Sequence, residues 1–220
     1  MSKQTIKAVV LLIGTYIMAQ AIADVGATKF VEIGGIVMPG GTFIFALTFT
    51  LRDMIHKRLG KEWARTAIFA AAGLNVMLAG YVFFLSRLSA PDFFALSDSW
   101  NAIFSIVPAI TIGSIISELV SELTDTEVYQ FWKTRFPRLP QWSRVLASNA
   151  VSLPIDSIVF TFLAFVLLPP LFGAESISFA DAFIGVASGQ IVFKAIVTVI
   201  SLPLIYTVKD ERLEGIAAFE

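Results

Sequence analysis

The chain has no cysteine, and this excludes a disulfide framework, thiolate catalysis and any cysteine-based metal site. Charge is scarce too: 15% of the 220 residues are charged, against 56% hydrophobic ones. There is one histidine, His56, set beside Lys57 in a basic segment. That segment lies toward the cytoplasmic side, and no Gly-x-Ser-x-Gly turn of the kind some families use is present, so an intramembrane serine protease is not expected. No phosphate loop is present, so any use of ATP would come from another chain. The first apolar stretch has no small-residue cleavage site and is read as a retained span rather than a removed signal peptide. No cofactor, repeat, soluble domain or nucleic-acid partner is expected.

Long apolar runs are what the chain does have. Mean hydropathy is +0.79, with twenty phenylalanines. A helix needs about 20 mostly apolar residues to cross a hydrocarbon core of roughly 30 Å. Six such segments fall near 7–27, 41–57, 64–86, 101–127, 143–168 and 182–207. The expected fold is therefore an all-α integral membrane protein, a six-helix bundle forming a single domain over 1–220. Thirteen of the sixteen Lys and Arg residues lie in segments 1–7, 52–65, 133–144 and the tail after 207, whereas the opposite loops hold Lys29 and Arg87. This bias predicts that both termini are cytoplasmic, in a multi-pass cytoplasmic (inner) membrane protein. The basic, aromatic stretch FWKTRFPRLPQWSR suits an anchor at headgroup level.

Ionisable and amide side chains within spans are costly and mark candidate function. Tyr16, Gln20 and Asp24 recur every four residues as one polar stripe; Asp24, near the external end, is open to reading as a rim residue. The glycine-rich segment near 33–42, EIGGIVMPGG, is either an ordinary external loop or a partly re-entrant one over a cavity. Asn75 interrupts the third span, either as an interhelical hydrogen bond or as a ligand contact. Glu118, Glu122 and Asp125 share one face of the fourth span beside a small-residue seam, Ala109, Gly113, Ser117 and Ser121. Buried carboxylates one turn apart repel when both are charged, so Glu118 or Glu122 is a candidate proton carrier, while Asp125 and Glu122 lie close enough to the cytoplasmic end to be wet. In SNAVSLPIDSIVFTFLAF, Asn149, Ser152 and Asp156 share a face, and Pro154 predicts a kink that frees the Ala150 carbonyl. Gln190 and Lys194 follow, four apart, and so deep a lysine demands a counter-charge from Asp156 or Glu118.

Four stretches carry a family resemblance. LRDMIHKRLGKEWAR has Asp53, six residues, Gly60, three residues and Ala64-Arg65. DTEVYQF begins at Asp125; SNAVSLPIDSIVFTFLAF runs from Ser148 through Asp156; FKAIVTVISLPLIY carries Lys194. Together, over about residues 39 to 206, they resemble the queuosine precursor transporter family, also called the vitamin uptake transporter family. The resemblance implies a six-span importer of 7-deazaguanine precursors, such as the 7-cyano and 7-aminomethyl forms, with Asp53, Gly60, Arg65, Asp125, Ser148, Asp156 and Lys194 on family positions. Two departures stand out: FIFAL lacks the proline that many relatives carry there, and Leu153-Pro154 replaces the Glu or Gln that some have before the Asp.

A deazaguanine offers adjacent N–H donors that a carboxylate can accept in pairs, a carbonyl edge for amides, and a flat ring for an aromatic wall. The expected binding set is Asn75, Glu118, Glu122, Asn149, Ser152, Asp156, Gln190 and Lys194, with Phe160, Phe162 and Phe193 as the wall. Expected partners are a purine-like small molecule and the lipid bilayer, with a homo-oligomer or an energising partner left open. Alternatives are the substrate-binding subunit of an energy-coupling-factor-type vitamin importer and a non-transporting structural protein.

Overall fold

In the computed structural model, residues 3–172 and 174–208 are described, with side chains from residue 6. The tail basic residues Lys209 and Arg212, counted above, lie outside them. Among the described residues the regular structure is helical apart from one small hairpin. Helix α1 spans Lys3–Gly26, α2 Thr42–Leu59, α3 Lys61–Ser86, α4 Ser97–Phe104, α5 Val107–Arg135, α6 Gln141–Thr161 and α7 Ser188–Ser201. Helix α6 runs through Pro154 and continues as a π-helical turn, Phe162–Leu167. A second π-helical turn, Asp181–Ala187, leads into α7, which ends in a 3-10 turn, Leu202–Thr207.

Five helical stretches are long and apolar enough to cross a membrane: Ile6–Gly26, Lys61–Ser86, Ser97–Arg135, Gln141–Leu167 and Asp181–Thr207. Helix α2 is the sixth segment expected from sequence but is not one of these five. Its 18 residues extend about 27 Å at the usual helical rise, yet it carries Arg52, Asp53 and His56, all buried. The protein is turned inside out relative to a soluble one. Leu11, Ile184 and Ile200 are more than two-thirds exposed, whereas Arg52, Asp53, Glu118, Glu122 and Asp125 are wholly buried. That pattern fits a bilayer solvent, in which polar groups retreat to the bundle interior.

The glycine-rich segment, expected as an external loop or a partly re-entrant one over a cavity, has regular strand structure. It is an antiparallel hairpin of β1 (Phe30–Ile33) and β2 (Ile36–Pro39), paired in register from Phe30↔Pro39 to Ile33↔Ile36. Gly34 and Gly35 form the two-residue turn at φ +60° and +81°, which matches the right-handed twist of the strands and suits glycine. The hairpin sits on the bundle through backbone contact. A Cβ at Gly189 would collide with the Val37 carbonyl oxygen, and the Phe30 ring lies 4.8 Å from that of Phe165.

The opposite end of the bundle is basic. Gly60, at φ +95°, is the single residue separating α2 from α3. Nearby, Lys61 and Arg65 both pair with Glu127 of α5, and Lys57 Nζ donates to the Ile205 carbonyl at 3.0 Å.

Candidate functional site

A cavity opens directly beneath the hairpin. It is small, and its wall includes Asp24, Thr42, Phe45, Phe160, Gln190 and Lys194. The i, i+4 spacing in α1 and the turn Pro39–Gly41 bring Asp24 and Thr42 together at this level. Helix α5 contributes Ser114 and Ser117, and α6 contributes Asp156.

The floor is an ion pair. Lys194 Nζ donates to Asp156 Oδ2, and also lies 3.1 Å from Gln190 Oε1 and 3.3 Å from Ser157 Oγ. Ser121 Oγ donates to the other Asp156 oxygen at 3.2 Å, and Gln190 Nε2 donates to Thr161 Oγ1 at 2.8 Å. The ammonium stands 4.8 Å above the centre of the Phe45 ring, close enough for a cation–π attraction. Asp156 thus has both oxygens engaged within the protein. Asp24 does not: Ser114 Oγ donates to Oδ1 at 2.7 Å, while the buried Oδ2 has no hydrogen-bond partner.

A second polar cluster lies deeper, toward the basic end. Tyr16 donates to Glu122 and stands 3.3 Å from Glu118 Oε1, which accepts from Gln20 Nε2 at 2.7 Å. Arg52 Nη2 bonds Asp125 and, at 2.9 Å, Asp53. Its Nη1 is 3.9 Å from Glu122, and its guanidinium carbon is 5.4 Å from the centre of the Phe49 ring. Ser152 Oγ completes the cluster by donating to Asp125 at 2.8 Å.

The eight residues expected to bind substrate therefore divide. Asp156, Gln190 and Lys194 line the cavity, whereas Glu118, Glu122 and Ser152 belong to the deeper network. Asn149 Nδ2 reaches Thr198 Oγ1 at 3.4 Å. Asn75 is buried in α3, off the cavity wall, with neither amide atom partnered. The aromatic wall is Phe160 with Phe45; Phe162 instead faces Phe183, and Phe193 packs edge-on against Phe43 at 4.8 Å.

Two readings are corrected. Glu122 and Asp125 are fully buried rather than wet, because α2 and α6 cover that face. Arg52, counted from sequence with the loop residues, is wholly buried within α2, where its carboxylate partners offset the cost of removing it from water. Sequence reasoning also missed Thr42, Phe45 and Ser114. Only the short spacing of Ser114 from the Ser117 seam hinted at any of them.

Residues 39–208 match a protein family described as "Putative vitamin uptake transporter". The chain belongs to this vitamin uptake transporter family. A curated relative, "Probable queuosine precursor transporter" of Bacillus subtilis (strain 168), is 28% identical over 205 residues, covering 88% of this chain and 83% of its own length. No solved structure matches. The family is one of transporters rather than enzymes. Of the positions named from the family pattern, Asp53 and Asp125 hold Arg52, while Asp156 and Lys194 form the cavity floor. Arg65 holds Glu127 at the surface, Gly60 forms the joint between α2 and α3, and Ser148 is buried, donating to the Val145 carbonyl at 3.2 Å. Helix α1, with Tyr16, Gln20 and Asp24, lies outside the matched family region yet supplies both polar clusters.

Proposed function

We propose that the chain imports a queuosine precursor, a 7-deazaguanine such as the 7-cyano or 7-aminomethyl form, through a six-span bundle, with the cavity beneath the hairpin as the substrate site. The Bacillus subtilis relative supports the substrate class. The observation that carries the site is the unpartnered, buried Asp24 carboxylate oxygen on a cavity wall that also includes Phe45 and Phe160. A deazaguanine brings what that wall lacks: paired N–H donors for Asp24 and a flat face for the two rings. Gln190 and Lys194 are then placed to read the carbonyl edge, while Asp156 holds the lysine in position.

Charge distribution supports the orientation. The end opposite the hairpin gathers Lys57, Arg58, Lys61, Arg65 and Lys133, and an excess of basic residues favours the cytoplasmic side, which supports a hairpin facing outside. In this arrangement α2 completes an even number of crossings, and both termini are cytoplasmic in the cell's inner membrane.

Purified protein in proteoliposomes tests the reading. Labelled 7-cyano-7-deazaguanine should enter saturably, unlabelled 7-aminomethyl-7-deazaguanine should compete, and Asp24→Asn should lose uptake. Uptake of an unrelated vitamin, with neither deazaguanine competing, overturns the substrate class.

A further inference from the structure

Among the described residues, the bundle interior holds six buried carboxyl groups, Asp24, Asp53, Glu118, Glu122, Asp125 and Asp156, against two buried cations, Arg52 and Lys194. Lys194 is committed to Asp156 and Arg52 to Asp53 and Asp125. No cation lies within ion-pair distance of Glu118, whose charged neighbours are Glu122, Asp24 and Asp156. An uncompensated charge there would be expensive in a low-dielectric interior.

The hydrogen bonds show the same shortage in a second way. Gln20 Oε1, Asp24 Oδ2, Glu118 Oε2 and Glu122 Oε1 are all buried acceptors that receive no donor. Buried acceptors are normally satisfied; the unpartnered donor Arg52 Nη1 lies 3.9 Å from Glu122 Oε1 and Asp24 lies on the cavity wall, so the shortage of donors is at Glu118 Oε2 and Gln20 Oε1, where a carboxyl proton supplies one. Between the two glutamates stands Tyr16, its hydroxyl bonded to Glu122 and 3.3 Å from Glu118. Glu118 follows Ser117 of the cavity wall by one residue, and Glu122 faces Arg52 at 3.9 Å.

We propose that Glu118, Tyr16 and Glu122 form a proton relay from the cavity to the Arg52 cluster, making the transporter a proton symporter. The relay rests on the transport reading given above. In the transfer step, the Glu118 carboxylic acid gives its proton to the Tyr16 oxygen as the Tyr16 proton passes to the Glu122 carboxylate. Tyr16 ends neutral, Glu118 ends charged, and one proton has moved one helical turn away from the cavity. Arg52 stabilises the Glu122 carboxylate before the transfer. Gln20 Nε2, which bonds both Glu118 and Tyr16, holds the donor and the bridge together.

The test uses the full chain in proteoliposomes, with 7-cyano-7-deazaguanine as probe and an inward proton gradient. Wild type should accumulate the probe above its external concentration and acidify the lumen as it does so. Glu118→Gln and Tyr16→Phe should lose accumulation, with the ratio of gradient-driven uptake to equilibrium exchange falling sharply. Accumulation by both variants at the wild-type level overturns the relay, as does wild-type accumulation driven by sodium and not by protons. Infrared spectroscopy of the carboxylic acid C=O stretch is the arm that needs no substrate. At neutral pH the wild-type band should disappear in Glu118→Gln and shift in Tyr16→Phe, which retains the ring and the fold. A band unchanged in both variants overturns the relay. If wild type exchanges no deazaguanine, the substrate class fails alone and the infrared result still decides the relay.

Discussion

Lys194 of α7 and Asp156 of α6 meet as an ion pair, each about 1% exposed, at the floor of the cavity. Two charges so deep are stable only together. Asp156→Asn alone leaves a buried lysine uncompensated and should cost about 3–5 kcal/mol of stability. The double change Asp156→Leu with Lys194→Met removes both charges and should recover most of that loss while abolishing transport. Thermal melting in detergent and uptake in proteoliposomes measure the two effects separately. A double variant no more stable than the single one would contradict the pair.

Arg52 reaches Asp53 and Asp125 with the same nitrogen and faces Glu122 with another. A lysine keeps the charge but not the fork that spans these partners. Arg52→Lys should therefore fold, as judged by a single size-exclusion peak, and lose most of its uptake. Arg52→Met should be the less stable of the two, since it strands three carboxyl groups. Wild-type uptake in Arg52→Lys would show that charge alone suffices.

Where α1 crosses the start of α2, a Cβ at Gly41 would collide with the Ala23 carbonyl oxygen. Gly73 faces nothing within 4 Å. Gly41→Ala should lower both yield and melting temperature, whereas Gly73→Ala should match or slightly exceed wild type, because alanine is the better helix former. Equal stability of the two variants would refute the close crossing.

Asn75 is buried with both amide atoms unpartnered and stands off the cavity wall. Replacing an unsatisfied polar group by an apolar one of similar size relieves a desolvation cost rather than adding one. Asn75→Leu should thus melt no lower than wild type. A clearly lower melting temperature would mean that Asn75 has a bonding partner in the folded protein.

Much of this architecture is legible in local sequence. Apolar run lengths give most helices to within a few residues, though α5 ends eight residues beyond the expected 127 and α4 is a separate helix, and the four-residue spacing of Gln190 and Lys194 marks a cavity-facing stripe. The depth of Lys194 alone demands a carboxylate, and Asp156 supplies it. Arg52 is another matter. Within RDMIHKR it reads as one charge among several near a span end, and part of what compensates its burial, Asp125, lies 73 positions away, where local sequence gives no sign of it. Tyr16 and Glu122 are 106 positions apart, beyond what helical periodicity can relate. The aromatic wall failed for a smaller reason: Phe160 and Phe162 are about 200° apart around a helix at 3.6 residues per turn, so only Phe160 faces inward. The hairpin was readable in FVEI-GG-IVMP, since a diglycine between apolar strands is a turn signal, but in so apolar a chain β-branched runs also suit a membrane loop.

The seat of the hairpin on Gly189 has a mechanical consequence. The same helix that bears the Val37 carbonyl near its start carries Lys194 little more than one turn further on. Roof and floor are thus joined by one rigid strut. Any shift of the hairpin would therefore bear on the helix that carries Lys194, and through it on the contact with Asp156.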